Sequence, residues 1–89
     1  MYYLYILKSI RTGKYYVGST KNPNKRLYKH NNGSVRSTKS GRPWKIIYKE
    51  CFNTVTEARK REKQIKSWKK RSRIENLIKR TKSLSSSLA

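Results

Sequence analysis

Residues 2–8 carry large apolar side chains on both of their alternating sets, Tyr3, Tyr5 and Leu7 on one and Leu4 and Ile6 on the other. A strand apolar on both faces has to be covered on both, which predicts the central strand of a sheet. Ser9 to Gly13 is a short polar turn, and Lys14 to Gly18 reads as the returning strand of a hairpin. Asn22-Pro23 then starts a helix, with Asn as N-cap and Pro at the first helical position. That helix is expected to run to about Asn32 and stop at Gly33. Gly33 to Pro43 is polar, carries Arg36, Lys39 and Arg42, and reads as a mobile loop. Trp44 to Phe52 is a third strand, with Trp44, Ile46, Tyr48 and Phe52 expected on one face.

Thr54 and Glu57 have the capping-box spacing, and the helix they open has an apolar stripe of Val55, Ala58, Ile65 and Trp68. Ser72 and Glu75 repeat the spacing and predict a second short helix that buries Ile74, Leu77 and Ile78. The expected fold is α+β, in the order β-β-α-β-α-α: a small three-stranded antiparallel sheet flanked by helices. It forms one domain over residues 1–82, with a flexible Ser-rich tail at 83–89.

Charge narrows the partners. The 89 residues hold 24 Lys and Arg against four acids, a formal net charge of +20. Such a field attracts polyanions, nucleic acid first among them. No apolar run approaches the roughly 20 residues that span a bilayer, so no membrane role is expected. The first residues do not resemble a signal peptide. A lone Cys51 fits a reducing cytosol, and the expected location is cytoplasmic, with the nucleoid as a possible association. One Cys and one His exclude a structural zinc site, so any metal must be held by oxygen.

All four acids are glutamates, and they can be sorted by position. Glu57 and Glu75 fall where capping explains them, and the role of Glu50, near the end of a strand, stays open. Glu62 lies in the gap of the apolar stripe, four residues after Ala58 and three before Ile65, and is expected to point toward the sheet. A carboxylate there costs several kcal/mol unless a charge or metal pairs with it. It is either a buried ion pair with Arg or Lys, or a ligand to a hydrated ion such as Mg²⁺. Arg26 and His30 are four apart on the first helix and share a face, with Leu27 beside them to anchor that helix. On their own they are equally a solvated basic face. Tyr5 and Tyr16 share a face of the sheet only if paired hairpin residues have odd number sums, which the turn alone leaves open.

Taken together and in order, Tyr3-Leu4-Tyr5, Tyr16-Val17-Gly18, Arg26, His30 and the later Glu62 resemble the GIY-YIG nuclease domain. The likeness covers about residues 1–80 and is greatest to small bacterial members related to the nuclease domain of UvrC. Tyr3, Leu4 and Val17 depart from the motif residues but leave both tyrosines. Ser19 stands where UvrC-like members have Lys. The resemblance implies a divalent-metal-dependent DNA endonuclease acting in repair, recombination or processing. Tyr5, Tyr16, Arg26 and His30 match the catalytic positions, and Glu62 matches the ligand of a single Mg²⁺ or Mn²⁺.

The reaction so implied is attack of water on a phosphodiester. A tyrosinate at Tyr5, its pKa lowered by Arg26 and the metal, takes the proton, and His30 relays it near neutral pH. Arg26 stabilises phosphoryl charge and Tyr16 orients phosphate or water. The expected DNA surface comprises Lys25, Arg36, Lys39, Arg42, Arg59 and Lys66, a set suited to phosphates rather than base edges. A partner protein or targeting subunit is left open. Two further readings remain: a nucleic-acid-binding module with little or no turnover, and an RNA- or ribosome-associated basic protein.

Overall fold

A computed structural model describes residues 1–68 and 70–88, with side chains described through residue 79. Three strands, β1 (Tyr2–Ser9), β2 (Tyr15–Thr20) and β3 (Trp44–Phe52), form one antiparallel sheet in the order β2-β1-β3. The strand that is apolar on both faces is therefore the central one. Leu4, Tyr5, Ile6 and Leu7 are all essentially inaccessible to solvent. The two faces hold separate apolar clusters. Leu4, Ile6 and Val17 pack with Ile65, while Tyr5 and Leu7 pack with Trp44, Tyr16 and Leu27.

Helix α1 (Pro23–Asn31) begins as expected, with the Asn22 side chain accepting from the Lys25 amide at 3.1 Å. Leu27 sets it against the Tyr5 face. Helix α2 (Val55–Lys66) is capped by Thr54, whose hydroxyl accepts from the Glu57 amide at 3.2 Å. Ala58 and Ile65 are buried as expected, but Val55 is 40% exposed. It sits in the first turn, before the helix reaches the sheet. Helix α3 (Arg71–Leu88) covers the other face with Ile74, Leu77 and Ile78.

Three expectations change and a fourth point, left open, is decided. First, β3 does not keep Trp44, Ile46, Tyr48 and Phe52 on one face. A register shift between Ile6 and Leu7 pairs Ile6 with Tyr48 but Leu7 with Ile46. The extra residue reverses the alternation, so Trp44 and Ile46 face Tyr5 while Tyr48 and Phe52 face Ile65. Second, the loop after α1 is built rather than mobile. Residues Arg36–Gly41 form a 3₁₀ helix with Thr38 and Gly41 buried. Three hydrogen bonds secure it: Trp44 Nε1 to the Thr38 carbonyl at 2.8 Å, Ser9 Oγ to the Gly41 carbonyl at 2.6 Å, and the Ile10 amide to the Pro43 carbonyl at 2.9 Å.

Third, Glu75 does not cap a helix starting at Ser72. The helix already includes Arg71, whose Nε donates to Glu75 Oε1 at 3.2 Å, one turn apart. Fourth, Glu50, left open above, forms a fork with Arg61: Nε to Oε1 is 2.9 Å and Nη2 to Oε2 is 3.1 Å. Tyr48 also donates to Glu50. The backbone of α3 runs through Ser83, where a tail was expected, and the side chains of that stretch lie outside the described residues.

The hairpin register answers the question that the turn left open. Tyr5 pairs with Gly18 and Leu7 with Tyr16, so the number sums are odd and Tyr5 and Tyr16 share a face. Gly18 has a steric reason to be glycine, since a Cβ there would lie 2.5 Å from the Tyr5 hydroxyl. Gly18→Ala is expected to cost about 1–3 kcal/mol through overpacking, read as a lowered urea midpoint. Val17→Ala, on the opposite face, should lower the midpoint without moving the Tyr5 ring resonances, whereas Gly18→Ala should shift them.

Candidate active site

Alternation on β1 and β2 brings two phenols to one face, and α1 lays Arg26 and His30 across them. The ring centroids of Tyr5 and Tyr16 are 6.5 Å apart, and His30 is 6.0 Å from Tyr5 and 4.9 Å from Tyr16. Trp44 closes the side of the cluster, edge-on to Tyr16 at 6.4 Å. Asn31 fastens the end of α1 to β3, since its Oδ1 accepts from the Trp44 amide at 2.6 Å and its Nδ2 donates to the Trp44 carbonyl at 3.0 Å. The helix that carries Arg26 and His30 therefore cannot slide along the sheet.

The polar contacts form a chain. Tyr5 Oη lies 3.0 Å from His30 Nε2, and His30 Nδ1 lies 2.7 Å from Thr38 Oγ1. The nearby Arg26 guanidinium favours the ionised form of Tyr5. Burial raises the Tyr5 pKa above 10, and the charges of Tyr16 and Glu62 push the same way, against the opposing pull of Arg26. Burial, and then the charge of Arg26, lower His30 from its ordinary 6.5 to about 4. In the metal-free protein these directions oppose the fall at Tyr5 expected from Arg26 and a metal, and move His30 away from the expected neutral range. In the free protein Tyr5 is a phenol rather than a tyrosinate, and His30 is a neutral imidazole with no titration near pH 7. Arg26 does favour the phenolate, but desolvation outweighs it.

Glu62 reaches the sheet from α2, as its place in the apolar stripe predicted. Its Oε1 accepts from Ser19 Oγ at 2.6 Å and its Oε2 from Lys66 Nζ at 2.6 Å. Burial works to raise the Glu62 pKa, but the bonds from Lys66 and Ser19 and the charges of Lys66 and Arg59 bring it below the usual value. Lys66 also lies 5.8 Å from the Tyr16 ring, which links this carboxylate to the tyrosine cluster. The described residues contain no group of three or more His, Cys, Asp or Glu able to hold an ion. A divalent cation here would therefore have one protein carboxylate and waters, a donor set that Mg²⁺ accepts. Lys66 is half exposed and has solvent to turn into. The donor set fits one hydrated ion, provided the ammonium moves.

The expected DNA contacts divide. Lys25 joins Lys21, Arg26 and Lys29 along an open cleft beside the N-terminus of α1. Arg36, Lys39 and Arg42 are exposed on and beside the 3₁₀ helix, and Arg59 is exposed on α2. Lys66 is committed to Glu62. Sequence reasoning offered Lys21 or Lys25 in place of the lysine that Ser19 replaces, gave Ser19 itself no role, and missed Lys29, Asn31 and Thr38. Lys29 had a legible signal, since 25 and 29 are one helical turn apart.

A family model, the GIY-YIG catalytic domain, matches residues 1–82. The chain belongs to the GIY-YIG family. A UPF0213 protein of Staphylococcus saprophyticus is 40% identical over 74 residues, covering 82% of this chain and 89% of that one. A UPF0213 protein of Bacillus pumilus is also 40% identical, over 68 residues, covering 75% and 68%. The solution NMR structure of a UPF0213 protein from Bacillus halodurans superposes with a TM-score of 0.56 at 28% identity, covering 89% of this chain and 84% of that one. A nuclease-type GIY-YIG domain thus accounts for the sheet order and the motif spacing together. Among the described residues no helix is long and apolar enough to cross a membrane.

The depressed His30 pKa gives a pH signature. Between about pH 6.5 and 4 the unfolded imidazole binds a proton that the folded one does not, so stability falls as pH drops through that window. The midpoint of thermal unfolding should decline from pH 6.5 to 4, and His30→Gln should flatten that decline. Glu62 adds a loss at lower pH that the His30 variant keeps.

Proposed function

We propose that the protein is a divalent-metal-dependent endonuclease hydrolysing DNA phosphodiester bonds. The observation that carries this reading is the hydrogen bond between the buried Tyr5 phenol and His30 Nε2, with the charge of Arg26 beside them. Any buried tyrosine needs a hydrogen-bond partner, but a phenol that must lose a proton needs one that can take it.

The attacking water gives its proton to Tyr5 Oη while the Tyr5 proton passes to His30 Nε2. Concerted transfer avoids a standing tyrosinate, in keeping with the raised Tyr5 pKa. A phosphodiester against Arg26 also cancels part of the positive charge that weakens His30 as a base. The Arg26 guanidinium donates to the phosphoryl oxygens as charge gathers on them. Tyr16, on the same face and at the rim, orients phosphate or water. Glu62 is the residue that would hold the ion, with Ser19 fixing its carboxylate. A bound Mg²⁺ or Mn²⁺ supplies polarisation of the phosphate and charge relief at the leaving 3′ oxygen. Lys21, Lys25, Arg26 and Lys29 line a cleft suited to the phosphates flanking the cut, and Arg36, Lys39, Arg42 and Arg59 extend the positive surface. Action on DNA in a bacterial cytoplasm, in repair or processing, is part of the same proposal.

One observation favours a second reading, a binding module without turnover: both Glu62 oxygens are already occupied, by Ser19 and Lys66. Nicking of supercoiled plasmid with Mg²⁺ or Mn²⁺ separates the two. We expect Tyr5→Phe, Arg26→Ala and Glu62→Ala each to lower the rate by about 10²-fold or more, with DNA binding retained. Nicking by Glu62→Ala at the wild-type rate would remove the metal assignment. Absence of cleavage across several DNA forms and metals would favour the binding module. Binding itself should weaken steeply with salt, with a log–log slope of about −5 if about six phosphates are neutralised. Lys21→Ala and Lys25→Ala should each reduce that slope by about one.

A further inference from the structure

The hydrogen bonds around His30 can be assigned donor by donor, and they agree from both ends. Among the described residues the Tyr5 hydroxyl has one hydrogen-bond partner, His30, and the hydrogen of a buried phenol needs an acceptor. The Tyr5 O–H then has His30 Nε2 as its acceptor at 3.0 Å, which requires that nitrogen to be unprotonated. Neutral His30 must therefore carry its proton on Nδ1. From the other end, the Thr38 hydroxyl has one hydrogen, and the Val35 carbonyl lies 3.3 Å away in donor geometry. Spending its hydrogen there leaves Thr38 Oγ1 as the acceptor for His30 Nδ1–H at 2.7 Å.

Thr38 itself has little freedom. It is 1% exposed, its amide donates to the Val35 carbonyl at 3.2 Å, and its own carbonyl accepts from Trp44 Nε1 at 2.8 Å. His30 is fully buried, and no buried side-chain polar atom among the described residues lacks a partner.

We infer that Thr38 is a positioning residue that holds His30 in the Nδ1–H tautomer and so keeps Nε2 open to receive the Tyr5 proton. The same contact serves both protonation states. When Nε2 takes the proton, Nδ1–H goes on donating to Thr38, so no ring flip or hydroxyl rotation accompanies the transfer. The Arg36–Gly41 turn is thereby part of the catalytic apparatus, although Thr38 touches neither substrate nor metal. The catalytic consequence rests on Tyr5 being the proton-transferring phenol. The tautomer does not, and it can be measured without substrate.

The test is the ¹⁵N spectrum of His30, the sole histidine, together with plasmid nicking by the full-length protein. Wild type should show a protonated Nδ1 and an unprotonated Nε2 at pH 7. Thr38→Ser keeps the hydroxyl, and should keep the tautomer and a rate within about threefold of wild type. Thr38→Val removes the acceptor, and should shift His30 toward Nε2–H and slow nicking about ten- to a hundredfold, the scale of losing a partner that orients a functional imidazole. An Nε2–H tautomer in wild type overturns the inference, even if no Thr38 variant folds. So does Thr38→Val retaining Nδ1–H at an unchanged rate. If wild type has the assigned tautomer but Tyr5→Phe nicks normally, the Thr38 assignment stands and the proposed role of Tyr5 fails.

Discussion

The Tyr5–His30 hydrogen bond ties the two halves of the structure together. Tyr5 lies at the centre of the sheet and His30 on the helix packed over its face, 25 positions further along the chain. Both are buried, so an unmade bond would leave two polar groups dry, at about 1–3 kcal/mol each. The surrounding features serve to make it. Gly18 clears the space over which the phenol lies, Asn31 fixes the end of α1 to β3, and the 3₁₀ turn brings Thr38 to the far side of the imidazole. The polar chain runs from Tyr5 through His30 to Thr38, and among the described residues no buried side-chain polar atom lacks a partner.

Glu62 supplies the opposite charge on the other side of β2. In a chain of net charge +20, one partly buried carboxylate next to a tyrosine cluster is a local reversal of the field. Ser19 and Lys66 hold it ionised and oriented. Lys66 is an i,i+4 partner on a solvent-facing turn, and exposed pairs of that kind are worth only about 0.3–0.5 kcal/mol. Displacement of the ammonium by a divalent ion is thus a small step, and a lysine that guards the carboxylate in the free protein is compatible with a metal site.

Much of this was legible from the sequence because it rests on local periodicity. Apolar residues on both sets of 2–8 gave the central strand, Asn22-Pro23 gave the start of α1, and the gap in the α2 stripe picked out Glu62. The missed features depend on contacts between distant segments. The register shift opposite Ile6 and Leu7 leaves no mark in β3, whose residues alternate well on paper, and it reversed the face of Trp44. Thr38 lies in a polar stretch with no period, and only its place under His30 gives it meaning. In the metal-free protein the Tyr5 pKa rises where Arg26 and a metal were expected to lower it, and His30, expected to titrate near neutrality, is shifted down, because charge was counted and burial was not. A cation near a phenol favours the anion, but a phenol in the middle of a sheet loses more by desolvation than one guanidinium returns.

The central claim is that Tyr5 gives up a proton during phosphodiester cleavage. Site-specific replacement of Tyr5 by a difluorotyrosine lowers the phenol pKa while keeping the ring and its hydroxyl, so the pH–rate profile of plasmid nicking tests the claim most directly. The account predicts that fluorination at position 5 changes the nicking rate across the neutral pH range, because the acidity of the phenol enters the transfer to His30, and that fluorination at Tyr15, on the opposite face of the sheet, leaves the profile unchanged. A profile that does not change when Tyr5 is fluorinated would contradict it.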